Sequence, residues 1–265
     1  MIKDFSEVHT DDVSIVGGKG LSLGLMTQAG FLVPPGFVVA IQVSSAESIA
    51  EEILAAFDAL GVERVAVRSS AVAEDSADAS WAGQFESYLN VDRDGLLTAI
   101  QKCQSSVDAA QEYAKIQNVT DEQLAVAVVV QAMVDSEVSG VAFSVNPINH
   151  DTNEIMVEAI YGLGELIVQG MVTPDNYVLA KDTNEIISTQ VATKTMMLVY
   201  QDGETKEVDV SGNQQTLACL DEVQLLELKN TILKIEDYYG SPQDIEWTYA
   251  KENFYIVQSR PITTL

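Results

Sequence analysis

A chain of 265 residues that is 47% hydrophobic and 20% charged is long enough for two compact lobes and buries a real core. Forty acidic residues against 14 lysines and arginines leave a net charge of -26, which excludes a nucleic-acid binder that relies on a basic face. Two cysteines, Cys103 and Cys219, without CxxC spacing exclude a disulfide framework or a Cys-type zinc site and point to a reducing cytoplasm, while no apolar run approaches the ~20 residues of a membrane helix.

Ser14 to Val16 reads as a short strand broken by Gly17-Gly18-Lys19-Gly20. Leu21, Leu25 and Met26 follow at helical spacing, and Gly30 is a natural stop. Val33-Pro34-Pro35-Gly36 predicts a turn and Phe37 to Ile41 a strand. Ser44 with Glu47 makes a capping box for a helix with Ile49, Ile53, Phe57 and Leu60 on one face, ending at Gly61. Val65 to Val67 is a buried strand running into Arg68-Ser69-Ser70. Leu96, Ile100, Cys103 and Val107 mark another helix, to about Tyr113. Strands are expected at 124–134, 138–145 and 154–161, then a glycine loop at 162–164 and a hairpin-like pair at 176–180 and 185–192. Asp221 caps a helix with Val223, Leu226, Ile232 and Ile235 inward, closed by Gly240, and strands at 243–249 and 254–260 end the chain. This mixture without regular βαβ alternation favours an α+β, two-lobe architecture.

The terminal hairpin carries the most explicit chemistry. Asp244 and Glu246 are two apart on a strand and share a face, as do Gln258 and Arg260 on the returning strand. A three-residue loop, Lys251-Glu252-Asn253 with Asn253 left-handed, sets Glu246 opposite Gln258 and Asp244 opposite Arg260, with Ile245, Trp247 and Val257 on the core side. Two carboxylates and an amide oxygen suit Mg²⁺ carrying phosphates, and the adjacent arginine suits a phosphoryl group in flight. The same four residues would also make a cross-strand ion pair on a solvated sheet face.

Gly17 to Gly20 before a helix offers backbone N–H groups to a phosphate and Lys19 adds a mobile charge, although a glycine turn with a solvent lysine fits as well. With only four arginines, Arg64, Arg68, Arg93 and Arg260, an acidic polyanion binder must place its cations deliberately. Arg68-Ser69-Ser70 and the small-residue stretch Ser80-Trp81-Ala82-Gly83-Gln84 could wrap a phosphate or form an ordinary loop. Gln131-Ala132-Met133-Val134 ends the most apolar strand, as either a hinge against a flat base or a buried strand end. His9 and His150 stand in no catalytic context and read as surface residues.

In order along the chain, these motifs resemble the phosphoenolpyruvate synthase and pyruvate phosphate dikinase family. The resemblance is carried by Val16 to Gly24, Val33 to Phe37, Val67 to Ala71 with Glu74-Asp75, Ala79 to Val91, Val128 to Val134, Ser139 to Phe143, Tyr161 to Tyr177, Gln243 to Trp247 and Val257 to Pro261. It implies an ATP-grasp-like fold holding ATP in a cleft between an N-terminal lobe, 1–130, and a C-terminal lobe, 131–265. It places Lys19 and Arg68 on ATP phosphates under a loop containing Ser80, Gly83 and Gln84, and Gln131 and Met133 at the adenine. Glu246 and Gln258 match the magnesium positions, and Asp244 and Arg260 join Arg68 in the catalytic set, with Asp244 positioning either a metal or a nearby base. Glu158, Glu165 and Gln169 are weaker matches for ribose or supporting roles.

The sequence departs from the family in two ways. Only about 26 residues separate the Pro-Pro-Gly strand from the Arg68 strand, where family members carry a longer helical insert. The chain stops just past Arg260, before the swivelling domain whose histidine accepts phosphate and the domain that binds pyruvate. The resemblance therefore implies a cytoplasmic, AMP-forming phosphotransferase half that needs Mg-ATP and a separate phosphohistidine and substrate-binding domain or subunit, with no nucleic-acid or membrane partner. The chain would be a split-gene subunit, a stand-alone domain or a cut piece. A regulatory nucleotide-binding module without turnover and the ATP domain of a rifampin phosphotransferase share the same motifs.

Overall fold

A computed structural model describes residues 2–41, 43, 45–72, 87–105 and 126–262. The chain divides into two compact units, Met1–Met133 and Val134–Leu265. Both mix helix and antiparallel sheet, an α+β arrangement. Among the described residues no helix is long and apolar enough to cross a membrane.

The first unit is built on a five-stranded sheet in the order β1-β2-β5-β3-β4: β1 (Ile2–Asp4), β2 (Gly36–Val39), β3 (Val65–Ala71), β4 (Ser87–Val91) and β5 (Val126–Ala132). One face packs Phe37, Val39, Val65, Val67, Val128 and Val130 against α2 (Ala50–Leu60) and α3 (residues 96–105), which contribute Ile53, Phe57, Leu96, Ile100 and Cys103. Burial of that apolar cluster is a hydrophobic driving force for the unit. α1 (Val13–Gln28) covers the other face, with Gly20 against Val38. Both cysteines are free and buried.

Two expectations change in this unit. Residues 14–16 form a helical turn of α1 instead of a strand; a three-residue apolar run has no period to tell the two apart. Gly17 (φ 71°, ψ 176°) interrupts that helix, as the glycine pattern predicts. The proposed cap Ser44 lies outside the described residues, and Glu47 sits in a 3₁₀ turn, Ala46–Ile49, accepting from Ser45 Oγ, so α2 begins only at Ala50.

The second unit holds a six-stranded sheet in the order β13-β12-β6-β7-β8-β9. Its strands are β6 (Val138–Phe143), β7 (Glu154–Tyr161), β8 (Asp175–Ala180), β9 (Ile186–Gln190), β12 (Gln243–Ala250) and β13 (Asn253–Pro261). A short helix, α4 (Glu165–Val168), follows the glycine turn at 162–164, and a separate hairpin joins β10 (Met196–Gln201) to β11 (Glu204–Asp209). The sequence reading missed that hairpin, although Asp202-Gly203, both at positive φ, is the residue pair a two-residue turn demands. α5 (Glu222–Tyr239) starts at an Asp221–Gln224 capping box and ends at Gly240 in the left-handed region. Its inward face runs Leu225, Leu228, Ile232 and Ile235; Val223 is 74% exposed and Leu226 half-buried, which corrects the expected face at its first two positions. Val223 falls in the first turn, next to the cap.

A buried ion pair fixes the base of the β10–β11 hairpin. Lys194 Nζ donates to Asp175 Oδ1, and the same carboxylate accepts from the Ala192 and Cys219 amides, each at 2.8 Å. Lys194→Met would leave Asp175 charged and buried with its counter-ion gone. The expected loss is about 3–5 kcal/mol in urea unfolding, and adding Asp175→Leu should not restore stability, because it strands the Ala192 and Cys219 amides.

Candidate functional site

In the first unit the glycine-rich turn is stitched to the end of β3. Ser70 Oγ donates to Val16 O (2.8 Å) and accepts from the Gly20 amide (3.0 Å), and Lys19 Nζ donates to Ser69 O (3.0 Å). Lys19 is only 5% exposed, so it is a placed cation beside the Arg68 strand and not a solvent lysine. The Gly20 amide, one of the N–H groups proposed for a phosphate, is committed to Ser70.

Arg68 pairs with Val129 across the sheet, and Gln131 pairs with Ala66 and Gly36. Arg68 and Gln131 therefore lie on the same face of the sheet, the one α1 covers, and Gln131 is flanked on both neighbouring strands by residues with little or no side chain. Gln131 is 2% exposed and its Nε2 has no hydrogen-bond partner among the described residues. A buried amide donor left unmade costs about 1–3 kcal/mol, which a bound acceptor would relieve. The Met133 amide donates to Arg64 O (3.0 Å), so that N–H is already used. Ser80, Gly83 and Gln84 lie outside the described residues.

In the second unit the hairpin places Glu246 opposite Gln258 and Asp244 opposite Arg260. The turn is the two-residue Lys251-Glu252, both at positive φ, and Asn253 belongs to β13. Trp247 faces Ile256 and Glu246 faces Gln258, so the extra residue is Val257 in a β-bulge rather than Asn253 in the loop. Ile256 takes the core position expected of Val257, which is half-buried; Ile245 and Trp247 are buried as expected.

One row across the sheet reads Gln258, Glu246, Val141, Glu158, so Glu158 joins the same face two strands away. Arg260 Nε (2.9 Å) and Nη2 (2.8 Å) both reach Asp244 Oδ2. Burial pushes the Asp244 carboxyl up; Arg260 opposes this and Glu246 adds to it. Glu158 is raised by burial and then by the charge on Asp244. Glu165, in α4, is raised by burial, with Gln169 Nε2 donating to it at 3.1 Å.

The donor set suits a hard divalent cation. Gln258 is 5% exposed and its Oε1 has no hydrogen-bond partner among the described residues. That orphaned oxygen sits across from the Glu246 carboxylate on a face already crowded with negative charge, which a cation would relieve. Among the described residues no group of three or more His, Cys, Asp or Glu could hold a metal by itself. A cation here would complete its shell with oxygens from water and a bound phosphate, as Mg²⁺ in nucleotide sites does.

Residues 41–265 match the family described as pyruvate phosphate dikinase, AMP/ATP-binding domain. The chain is 36% identical over 312 residues to the probable phosphoenolpyruvate synthase of Methanocaldococcus jannaschii, covering 98% of this chain and 26% of that protein. It is 36% identical over 314 residues to the rifampicin phosphotransferase of Bacillus cereus, covering all of this chain and 36% of that protein. The chain thus spans about a quarter to a third of the length of these two relatives. Among solved structures, D-alanine-D-alanine ligase from Helicobacter pylori is similar with a TM-score of 0.44 and 14% identity, over 93% of this chain and 54% of that one.

Proposed function

Because the chain belongs to the pyruvate phosphate dikinase AMP/ATP-binding domain family, we propose that it binds Mg-ATP and passes a phosphoryl group to a histidine on a separate swivelling domain. The reaction would be AMP-forming, as in the phosphoenolpyruvate synthases it resembles. The observation that carries this reading is the hairpin face: Glu246 opposite Gln258, the buried Gln258 Oε1 without a partner among the described residues, and Arg260 held by Asp244.

Each residue has a defined task in this proposal. Lys19 and Arg68 neutralise the phosphates, and Gln131 Nε2 donates to the adenine, with Met133 beside it. Glu158 is placed for the ribose. Glu246 and Gln258 would hold Mg²⁺, which when bound supplies charge neutralisation on the phosphate oxygens. Arg260, oriented by Asp244, donates to the charge that develops on the transferring group. The shared Asp244 oxygen keeps the guanidinium in one orientation, so little reorganisation is left for the transition state.

The similarity to rifampicin phosphotransferase favours a second reading, in which the final acceptor is an antibiotic hydroxyl and not pyruvate. Both readings share the first transfer. The deciding experiment is incubation with Mg²⁺, radiolabelled ATP and a phosphohistidine domain supplied in trans. Label is expected on that domain and AMP in solution. Tight ATP binding without label would instead establish a regulatory nucleotide module. Gln258→Leu should leave metal-free ATP affinity within about threefold and raise the Mn²⁺ requirement at least tenfold, read by isothermal titration.

A further inference from the structure

With the two-residue turn Lys251-Glu252, the face that carries Gln258 and Arg260 depends on the bulge at Val257. From the turn, Ala250 pairs with Asn253 and Trp247 with Ile256; continuing that register would set Glu246 against Val257 and Asp244 against Ser259. A one-residue slip sends every side chain of a strand to the opposite face. Without the bulge, Gln258 and Arg260 would turn toward the core, so something must hold the strand beyond the bulge.

The reverse face of the same hairpin provides a buried polar chain. Ser259 Oγ donates to Gln243 Oε1 at 2.9 Å. Ser144 clamps the Gln243 backbone from both sides, its amide donating to Gln243 O (2.9 Å) and its Oγ accepting from the Gln243 amide (2.8 Å). Ser144 Oγ donates to Glu236 Oε1 on α5 (3.1 Å), and Lys181 Nζ holds that carboxylate at 2.7 and 2.6 Å. Ser259, Gln243 and Ser144 are 2%, 1% and 0% exposed. In the unbulged register Ser259 would lie opposite Asp244 on the other face, and the buried Gln243 Oε1 would lose its donor. Such a loss is costly in the interior, so the network selects the bulged register.

We infer that Ser259, Gln243, Ser144 and Glu236 form a register lock, and that Ser259 and Gln243 are positioning residues for the Glu246–Gln258 and Asp244–Arg260 pairs. The inference rests on the function proposed above for what those pairs do, but not for the lock itself. None of the four touches the proposed nucleotide; they act through the placement of Gln258 and Arg260.

The register can be read without nucleotide. In the full chain, Glu246→Cys with Gln258→Cys should oxidise to a disulfide, since residues directly opposite are within its reach; Cys103 and Cys219 are buried. Adding Ser259→Ala should cut that yield at least threefold and raise the yield of the Glu246→Cys, Val257→Cys pair. Ser259→Thr, which keeps the hydroxyl, should restore the parent pattern. Without the added cysteines, Ser259→Ala should raise the Mn²⁺ concentration for half-maximal ATP binding at least tenfold, and Ser259→Thr less than threefold. Unchanged 246–258 yields in both Ser259→Ala and Gln243→Leu would overturn the inference, as would a loss that Ser259→Thr fails to rescue. If the unmutated chain binds no ATP with Mn²⁺, the proposed function fails while the crosslinks still decide the register.

Discussion

Arg260→Ala is expected to abolish phosphoryl transfer, by about a thousandfold or more, while ATP affinity stays within about threefold. The split follows from where the guanidinium is held. Asp244 grips Arg260 at 2.9 and 2.8 Å, in a geometry set before any ligand arrives. A donor fixed in that way is worth most where charge develops and little in the ground state. The substitution has a second consequence. Burial already raises the Asp244 carboxyl, and Arg260 is the group that opposes it. Without the arginine, burial and the Glu246 charge act on the Asp244 carboxyl unopposed and raise it further. Arg260→Lys keeps a charge but loses the planar fork, and should recover only part of the rate. Single-turnover transfer to the phosphohistidine domain, beside calorimetric ATP binding, separates the two effects. Wild-type transfer in Arg260→Ala would remove the catalytic assignment.

That pair of strands also shows how much of the site was legible in the sequence. The alternation of Asp244 and Glu246 against Gln258 and Arg260 fixed which side chains share a face, and the structure pairs them as expected. The path to that pairing was different. One extra residue in the hairpin shifts every pair beyond it by the same amount, whether it sits in the turn or in the strand. The sequence reading put it at Asn253, by analogy with three-residue loops; the chain puts it at Val257, leaving Lys251 and Glu252 to make the turn. The functional pairs lie past both positions and come out alike, whereas Ile256 and Val257, which lie between, exchange core and half-buried roles.

Elsewhere the misses follow the range of the interaction. Asp221 and Gly240 advertise a helix locally, and the helix is there. The Ser144–Gln243 clamp joins residues 99 apart, and no periodicity announces a partner at that distance. Asp175 and Lys194 are both ionic residues that a composition-based reading places outside, yet they are 0% and 3% exposed because they satisfy each other. Lys19 is the intermediate case: the glycines around it were readable as a break before a helix, but its burial depends on Ser69, 50 residues away.

Gly17→Ala should be the most damaging single methyl in the first unit. A Cβ at this position would lie 2.1 Å from Ser70 O and 2.4 Å from Ser70 Oγ. Backbone cannot yield as a flexible side-chain tip can, so either the turn or the end of β3 must move. The backbone angles, φ 71° and ψ 176°, fall where essentially only glycine is found, which adds its own strain. Together these should cost about 3 kcal/mol or more. Gly30 separates the two causes. Its φ is also positive, at 83°, but a Cβ there would meet nothing within 4 Å, so Gly30→Ala should lose only about 1–2 kcal/mol. The larger loss at Gly17 has a functional signature, because Ser70 receives the Gly20 amide and the neighbouring Ser69 carbonyl holds Lys19. Pushing β3 away from the turn displaces Lys19 from the Ser69 carbonyl that holds it. ATP affinity should fall at least tenfold in Gly17→Ala at temperatures where the protein is still folded, and remain unchanged in Gly30→Ala. Urea unfolding and calorimetric ATP titration of the two variants side by side test both halves. Equal stability losses with equal ATP affinities would show that the close approach at Ser70 has no part in placing the lysine.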